Sequence, residues 1–399
     1  MKNIVFIGYV VDPERADEYT GISFAGNNMQ YNILKYLAKD ERFNITVISV
    51  VPNTTFPKDK RMFIGKKEST LCDCIKTYEV SYVNIPVIKQ VSQCLSVIFH
   101  LKKVFRTISA ENSIVLTFNM FPPIGIPAKW LIKKNIEVAA ILADLPIDDA
   151  ISRSTFGHLL MNSFDNIAKN AIKSLKHAIV LNYNAIKQYA PNSDYIIVDG
   201  GIDCDKTTTK NETIRKENNV LYCGSLNDYS GIRNLCNAMH YVTGNVFLDI
   251  YGSGELGDFV KECAKKDNRI RYHGRIPNSA ILTKQKEAKF LINPRPINDP
   301  ISMVTFPSKI FEYMMSGTPV ISTKLSGFSS DYEGKVIFCG DSSEGIADAI
   351  NRAMKMSDSE KEALALSAST FIVENKTWEK QTCKIADYLE GIIAKRRDS

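Results

Sequence analysis

The chain lacks any long apolar run: no stretch approaches the roughly 18 residues that a membrane-spanning helix needs, so no transmembrane segment is expected. An N-terminal export pattern is missing too, because NIVFIGYVV runs straight into Asp12-Pro13-Glu14-Arg15 instead of a small-residue cleavage site. That opening reads as the first strand of a cytoplasmic protein. Charge of one sign is scarce, since 50 Lys+Arg against 44 Asp+Glu leave a net charge of only +6. Without a dense basic stripe or a reading motif, no nucleic-acid partner is expected, whereas an anionic small molecule or membrane surface stays compatible. Nine cysteines, at 72, 74, 94, 204, 223, 236, 263, 339 and 383, are an odd number. Only Cys72-Asp73-Cys74 brings two together, and no second pair completes a metal site, so reduced, packed thiols are expected. No fixed-period repeat or low-complexity tract appears, which excludes solenoid architectures.

What is present is ordinary globular composition, 44% hydrophobic and 24% charged over 399 residues. Single cores stop growing near roughly 250 to 300 residues, so the length predicts two domains. Short β-branched runs alternate with helix-length segments throughout. NIVFIG, NITVISV, SIVLTF, IEVAAILA, AIVLN and YIIVDGG come first, then NVLYCGSL, VFLDIYG, IRYHG, FLINP, PVIST and VIFCG. Continuous apolar strands separated by crossovers imply parallel sheets covered on both faces, hence an α/β protein with two doubly wound sheets. Apolar periodicity disappears over residues 198–219, VDGGIDCDKTTTKNETIRKENN. The expected division is 1–199, 200–372 and a terminal helical segment 373–399 whose last helix runs from about Trp378 to Ala394.

Ligands of parallel sheets collect beyond the carboxyl ends of the strands. FPSKIFEYMMSGTPVIST, residues 306–323, places Pro307 early in a helix, a buried stripe of Ile310, Phe311, Met314 and Met315, and a stop at Gly317 and Pro319. The start of such a helix offers free N–H groups to a phosphate, with Ser308 and Lys309 adding a hydroxyl and a cation. Glu312, one turn on, suits adjacent ribose hydroxyls. The plainer alternative is an i,i+3 surface ion pair between Lys309 and Glu312.

This stretch, together with YCGSLNDYSGI, DIYGSGEL, YHGRIP and FLINPRP, resembles the C-terminal domain of the family 4 retaining glycosyltransferases, over about 110 residues from 222 to 327. The resemblance implies the GT-B fold, two Rossmann-like parallel-sheet domains facing a central cleft. It implies that Glu312 holds the ribose, that Lys309 and Ser308 meet the diphosphate, and that Gly274, Arg275 and Ile276 border the base. Arg295 looks like a further phosphate or sugar contact. Two family cations are replaced by Ser225 and Ser230, and Val304 stands where many members carry a Glu on the transferred sugar. Arg295 and Lys309 are expected to supply the missing charge. Gly252 and Gly254 form a G-x-G turn that permits close approach of a ligand, although an ordinary turn reads the same way.

In the front domain, Gly21 and Gly26 of TGISFAGNNMQ resemble the family's glycine loop facing the donor phosphates, or a plain helix start. Asp144 closes a strand before Leu145-Pro146, where it would orient the donor sugar, receive an acceptor proton or simply form a turn. Asp148 and Asp149 have no partner ligand at metal spacing, so neither a metal nor a cofactor is expected. Residues 89–108 place Val91, Leu95, Ile98, Phe105 and Ile108 on one helical side, with Lys102, Lys103 and Arg106 largely elsewhere. That is the pattern of a core-facing helix. Its functional alternative is a basic surface that meets anionic lipid, helped by Lys129, Lys133, Lys134 and the basic C-terminus.

The expected function is transfer of a hexose with retention from a nucleotide diphosphate sugar, UDP- before GDP-, to a glycan or lipid-linked glycan acceptor in polysaccharide assembly. The enzyme would be cytoplasmic, peripheral at the inner membrane face. A nucleotide-sugar epimerase and a catalytically silent, nucleotide-sugar-binding partner of another transferase are the alternatives.

Overall fold

The apolar runs form parallel strands whose crossovers are helices, in a computed structural model that describes residues 1–146, 155–203 and 218–397. The chain divides into two units, Met1–Asp199 with Trp378–Ser399, and Gly200–Thr377.

The first unit contains, in chain order, β1 (Lys2–Gly8), α1 (Phe24–Leu37), β2 (Phe43–Ser49), β3 (Phe63–Ile64), β4 (Lys67–Leu71), β5 (Ile75–Glu79), β6 (Tyr82–Val83), α2 (Ile88–Val104), β7 (Ser113–Phe118), α3 (Pro122–Ile132), β8 (Val138–Leu142), α4 (Thr155–Ile172), β9 (His177–Val180), α5 (Tyr183–Tyr189) and β10 (Asp194–Ile197). Its sheet has the order β10-β9-β8-β7-β1-β2-β5-β4, parallel except for β4. β7 and β8 are buried at every position, as strands covered on both faces must be. The hairpin β4–β5 was not anticipated from the sequence: KESTL is a polar edge strand, and its turn is built by Cys72 and Asp73, both with left-handed φ (51° and 61°). The two cysteines that lie close in sequence therefore flank a turn.

The second unit contains β11 (Asn219–Cys223), α6 (Ile232–Ala238), β12 (Phe247–Tyr251), α7 (Gly257–Lys266), β13 (Ile270–Gly274), α8 (Asn278–Glu287), β14 (Phe290–Asn293), α9 (Pro300–Val304), α10 (Lys309–Met315), β15 (Val320–Thr323), β16 (Ile337–Cys339), α11 (Ser343–Met354) and α12 (Asp358–Asn375). Strand order β13-β12-β11-β14-β15-β16, all parallel, reverses direction between β11 and β14, the topological switch point at which such sheets bind ligands. α12 belongs to this unit because Phe371 and Ile372 are buried, with Phe371 edge-on to Tyr332. The return to the first unit therefore starts at Trp378 rather than at 373.

The last helix, α13 (Trp378–Arg397), packs on α1. Glu390 pairs with Lys2 and Arg42, Arg42 also reaches Asp387 at 2.9 Å, and Arg396 donates to the carbonyls of Ala110 and Asn135.

The α2 expectation needs correction. Val91 and Leu95, expected to face the core, are solvent-exposed, and the buried line of the helix is Gln93, Cys94, Val97, His100, Leu101 and Val104. Both sides of α2 carry apolar residues, so periodicity alone could not choose the face that packs.

Candidate nucleotide-sugar site

At the carboxyl edge of the second unit's sheet, three consecutive strands end in glycines with positive φ: Gly224 (154°), Gly252 (145°) and Gly274 (68°). The turns are stacked through backbone bonds, Gly224 N donating to Tyr251 O at 3.0 Å and Gly252 N to Gly274 O at 2.8 Å. A Cβ on Gly252 would collide with the carbonyl of Gly224, so a side chain there is excluded on two counts.

Above these turns lies a pocket of about 450 Å³, lined by Cys223, Gly224, Ser225, Tyr251, Gly252, Ser253, Arg275, Ile276, Ile281, Lys309 and Glu312. Six of the residues singled out from the sequence, Ser225, Gly252, Arg275, Ile276, Lys309 and Glu312, therefore share one wall-to-wall site. Lys309 and Glu312 do not pair with each other. Lys309 Nζ donates to Cys223 O at 3.3 Å and lies 4.3 Å from the Tyr222 ring centroid, while Glu312 Oε1 accepts from Gln285 Nε2 at 2.6 Å. The pocket thus offers a cation at one end of the first helical turn and an oriented carboxylate at the other.

Below the pocket, Tyr313 hydroxyl bridges the strand end, accepting from Cys223 N and donating to Cys223 O, both at 3.1 Å. Burial raises the Cys223 thiol pKa. Tyr251 is stacked on His273, with centroids 4.4 Å apart and planes at 11°, and His273 Nε2 lies 2.7 Å from Asp249. Asp249 also takes Arg271 and Asn219. Burial alone would raise its pKa, but these hydrogen bonds outweigh that penalty and hold the carboxylate below its usual range.

Other expected site residues stand apart from this wall. Gly274 closes β13 behind Arg275, Gly254 packs against the backbone of Leu226, and Ser308 is exposed at the start of α10 without lining the pocket. Arg295 is half-buried beside the Tyr229 ring, 3.3 Å from Thr305 Oγ1, and its burial lowers its pKa. Ser230 is buried and hydrogen-bonded to Asn227 O, so it could not present a side chain to this pocket. Val304 is buried as well. Gln285, fully buried, is the residue that sequence reasoning missed, since a polar residue inside a helix carries no signal of what it will face.

The first unit has its own pocket of about 390 Å³ at the carboxyl edge of its sheet; Gly21, Gly26 and Asp144 line it together with Asn27, Gln30, Lys89, Gln90, Gln93 and Asn119. Asn27 and Gln30 project from α1 to receive Val11 N and Tyr9 N, each at 2.8 Å, and so tie the helix to the loop after β1. Asn119, left-handed at φ 61°, receives Ala143 N and Asp144 N on Oδ1 and donates Nδ2 to Asp144 Oδ2 at 3.1 Å. Asp144 is an exposed residue, yet protein packed around its carboxyl disfavours the charged form and raises its pKa against that hydrogen bond. Burial lowers the pKa of Lys89. Asp148 and Asp149 lie outside the described residues, and among the described residues no group of three or more His, Cys, Asp or Glu is placed to hold a metal ion.

Residues 217–356 match the family described as glycosyl transferases group 1. Across the whole chain the fold is that of solved glycosyltransferases. Sucrose-phosphate synthase from Thermosynechococcus elongatus aligns with a TM-score of 0.70 at 15% identity, over 99% of this chain and 100% of that one. HepE of Anabaena in complex with UDP aligns at 0.65 and 15%, over 98% and 100%. WaaG, a glycosyltransferase involved in lipopolysaccharide biosynthesis, aligns at 0.61 and 16%, over 97% and 100%. No curated protein sequence matches. The likeness to the group 1 glycosyl transferases thus lies in residues 217–356, and the whole chain has the GT-B fold of these solved structures.

Proposed function

We propose that this enzyme transfers a hexose, with retention of anomeric configuration, from a nucleotide diphosphate sugar to a glycan or lipid-linked glycan acceptor at the inner face of a membrane. The observation that carries the donor assignment is the convergence of Lys309 and Glu312 on one pocket with Arg275 and Ile276. Glu312 accepts hydrogen bonds from the two ribose hydroxyls, Arg275 and Ile276 border the base, and Lys309 neutralises the diphosphate. UDP is favoured over GDP as the carrier because HepE, of the same fold, was solved with UDP-glucose.

The diphosphate is already a good leaving group, so the chain's task is to stabilise departing negative charge rather than to supply paired carboxylates. The bond from the anomeric carbon to the diphosphate breaks, the acceptor oxygen bonds to that carbon on the same face, and the acceptor proton passes to the departing phosphate. Lys309 meets the charge released in that step, with Arg295 as a further cation. In the first unit, Asp144 and the amides of Asn119, Gln90 and Gln93 suit acceptor hydroxyls. No resident metal is needed, and turnover is expected to survive EDTA.

Calorimetric titration with UDP, GDP and their sugars tests the assignment. Wild type is expected to bind UDP, and Glu312→Ala and Lys309→Ala each to lose about tenfold or more, the loss of one charge-assisted contact. Unchanged UDP binding in both variants would refute it. UDP-sugar binding without transfer to any of a panel of acceptors would favour the silent-partner alternative, for which Ser225, Ser230 and Val304 are the motivating departures.

A further inference from the structure

α2 has spent one face on the core and still presents a second apolar line to solvent. Ile88 (50% exposed), Val91 (57%), Leu95 (64%) and Phe99 (64%) recur every three to four residues and fall on one side of the helix, opposite the buried Val97, Leu101 and Val104. Ile126 of α3, the helix packed against α2, is exposed as well. Scattered exposed apolar residues are ordinary, but a continuous line of four large ones marks a surface that something covers.

The same line runs on into cations. Lys102 follows Phe99 at the same helical spacing, Arg106 comes in the turn just past the end of α2, and both are exposed. Lys102 and Lys134 lie over the Trp130 ring, at 5.9 and 5.4 Å, and Lys129 and Lys133 are exposed on and just after α3. Glu68, 3.5 Å from Lys103, is the one acidic side chain paired with these basic groups among the described residues. An apolar line that ends in a basic cluster is complementary to a surface with a hydrocarbon interior and anionic headgroups. A folded protein partner would equally accept the apolar line, but nothing on such a partner requires the cations to flank it.

We infer that α2 lies on an anionic lipid bilayer, with Ile88, Val91, Leu95 and Phe99 inserted between acyl chains and Lys102, Arg106 and the lysines near Trp130 in the headgroup layer. The first turns of the same helix carry Lys89, Gln90 and Gln93, which line the first unit's pocket. Docking α2 therefore holds that pocket close to the membrane, across the helix from the inserted line, on the side from which a lipid-linked acceptor presents its glycan. This deepens the acceptor assignment proposed above and rests on it only for that last step.

The test is co-sedimentation of the full-length protein with vesicles of phosphatidylcholine alone or with about a third phosphatidylglycerol, with no nucleotide or acceptor present. Donor binding is measured separately by calorimetry, so that failure of the lipid surface and failure of the donor site are told apart. Wild type is expected to pellet with the anionic vesicles. Leu95→Asp/Phe99→Asp should lower the partition coefficient by about a hundredfold, as two apolar side chains are withdrawn from hydrocarbon. Lys102→Glu/Arg106→Glu should lower it at least about tenfold and abolish the preference for anionic lipid. All four positions are on the surface, so both variants should keep the wild-type circular dichroism and UDP affinity; if Leu95→Asp/Phe99→Asp does not, Leu95→Ser/Phe99→Ser carries the same prediction. Wild type remaining in the supernatant, or either pair of substitutions leaving binding unchanged, overturns the inference. So does a wild-type dimer in solution that the Asp substitutions convert to monomer, which would make a second copy the occupant.

Discussion

Replacing Gln285 by Leu should weaken UDP binding without unfolding the protein. Gln285 is fully buried, donates Nε2 to Glu312 Oε1 at 2.6 Å, and leaves its own Oε1 without a partner. A hydrogen bond to a charged group is worth roughly 1.5 to 3 kcal/mol, but the Leu variant also removes an unsatisfied buried oxygen, which offsets part of that loss. The net change in folding stability should therefore be small, within about 1 kcal/mol. Affinity behaves differently. Once released, the Glu312 side chain must lose rotamer freedom on binding, a cost of roughly 1 to 2 kcal/mol, or about 5- to 30-fold in the UDP dissociation constant. Calorimetry with UDP and with 2′,3′-dideoxy-UDP separates the terms: the loss should appear with the ribose and vanish with the dideoxy ligand. Glu312→Ala combined with Gln285→Leu should cost no more than Glu312→Ala alone. Wild-type affinity in Gln285→Leu, or an equal loss with the dideoxy ligand, would refute the reasoning. Gln285→Glu sharpens it, because two carboxylates at this distance share a proton. UDP binding should then decline as pH rises through the raised pKa of the pair.

Gly252→Ala should destabilise the protein by about 1 to 3 kcal/mol and abolish measurable UDP binding, because φ is 145° and the new Cβ meets the Gly224 carbonyl; an unchanged urea midpoint would contradict this. Asp144→Asn should raise the melting temperature at pH 7. Packing raises the folded-state pKa of Asp144, so its charged form costs stability above that pKa and nothing below the ordinary carboxylate value near about 4; the gain should therefore vanish in melts at pH 3.5 to 4, roughly that ordinary value. Asp249 has the opposite sign. Its pKa is depressed, so its contribution is complete above about pH 4 and is lost as pH falls through the folded value. Asp249→Asn should flatten the acid side of the stability profile and cost about 2 kcal/mol at pH 7, checked by urea unfolding across pH.

The parallel sheets were readable because β7 and β8 are buried on both faces, which forces unbroken apolar runs into the sequence. The pocket of the second unit was readable for a related reason. Gly252 must be glycine, since its φ is 145° and a Cβ would meet the Gly224 carbonyl, and Lys309 and Glu312 sit three residues apart, so one short helix delivers both. Gln285 was not readable. Its partner, Glu312, lies 27 residues away on a different helix, and no local pattern encodes that meeting. The β4–β5 hairpin was hidden because its edge strand is polar and its turn uses Cys72 where Asn or Gly is usual.

Local order thus determined what each segment is: strand, helix, glycine turn, and which side chains share a helical turn. The tertiary structure alone decided which surface each helix turns inward. α2 carries apolar residues on both sides, and only its packing against the rest of the unit made Val97 and Leu101 core and left Leu95 and Phe99 facing outward. The physical reason is that periodicity is a property of one segment, whereas burial is a property of the pair that meets, and distant parts of the chain choose the partner.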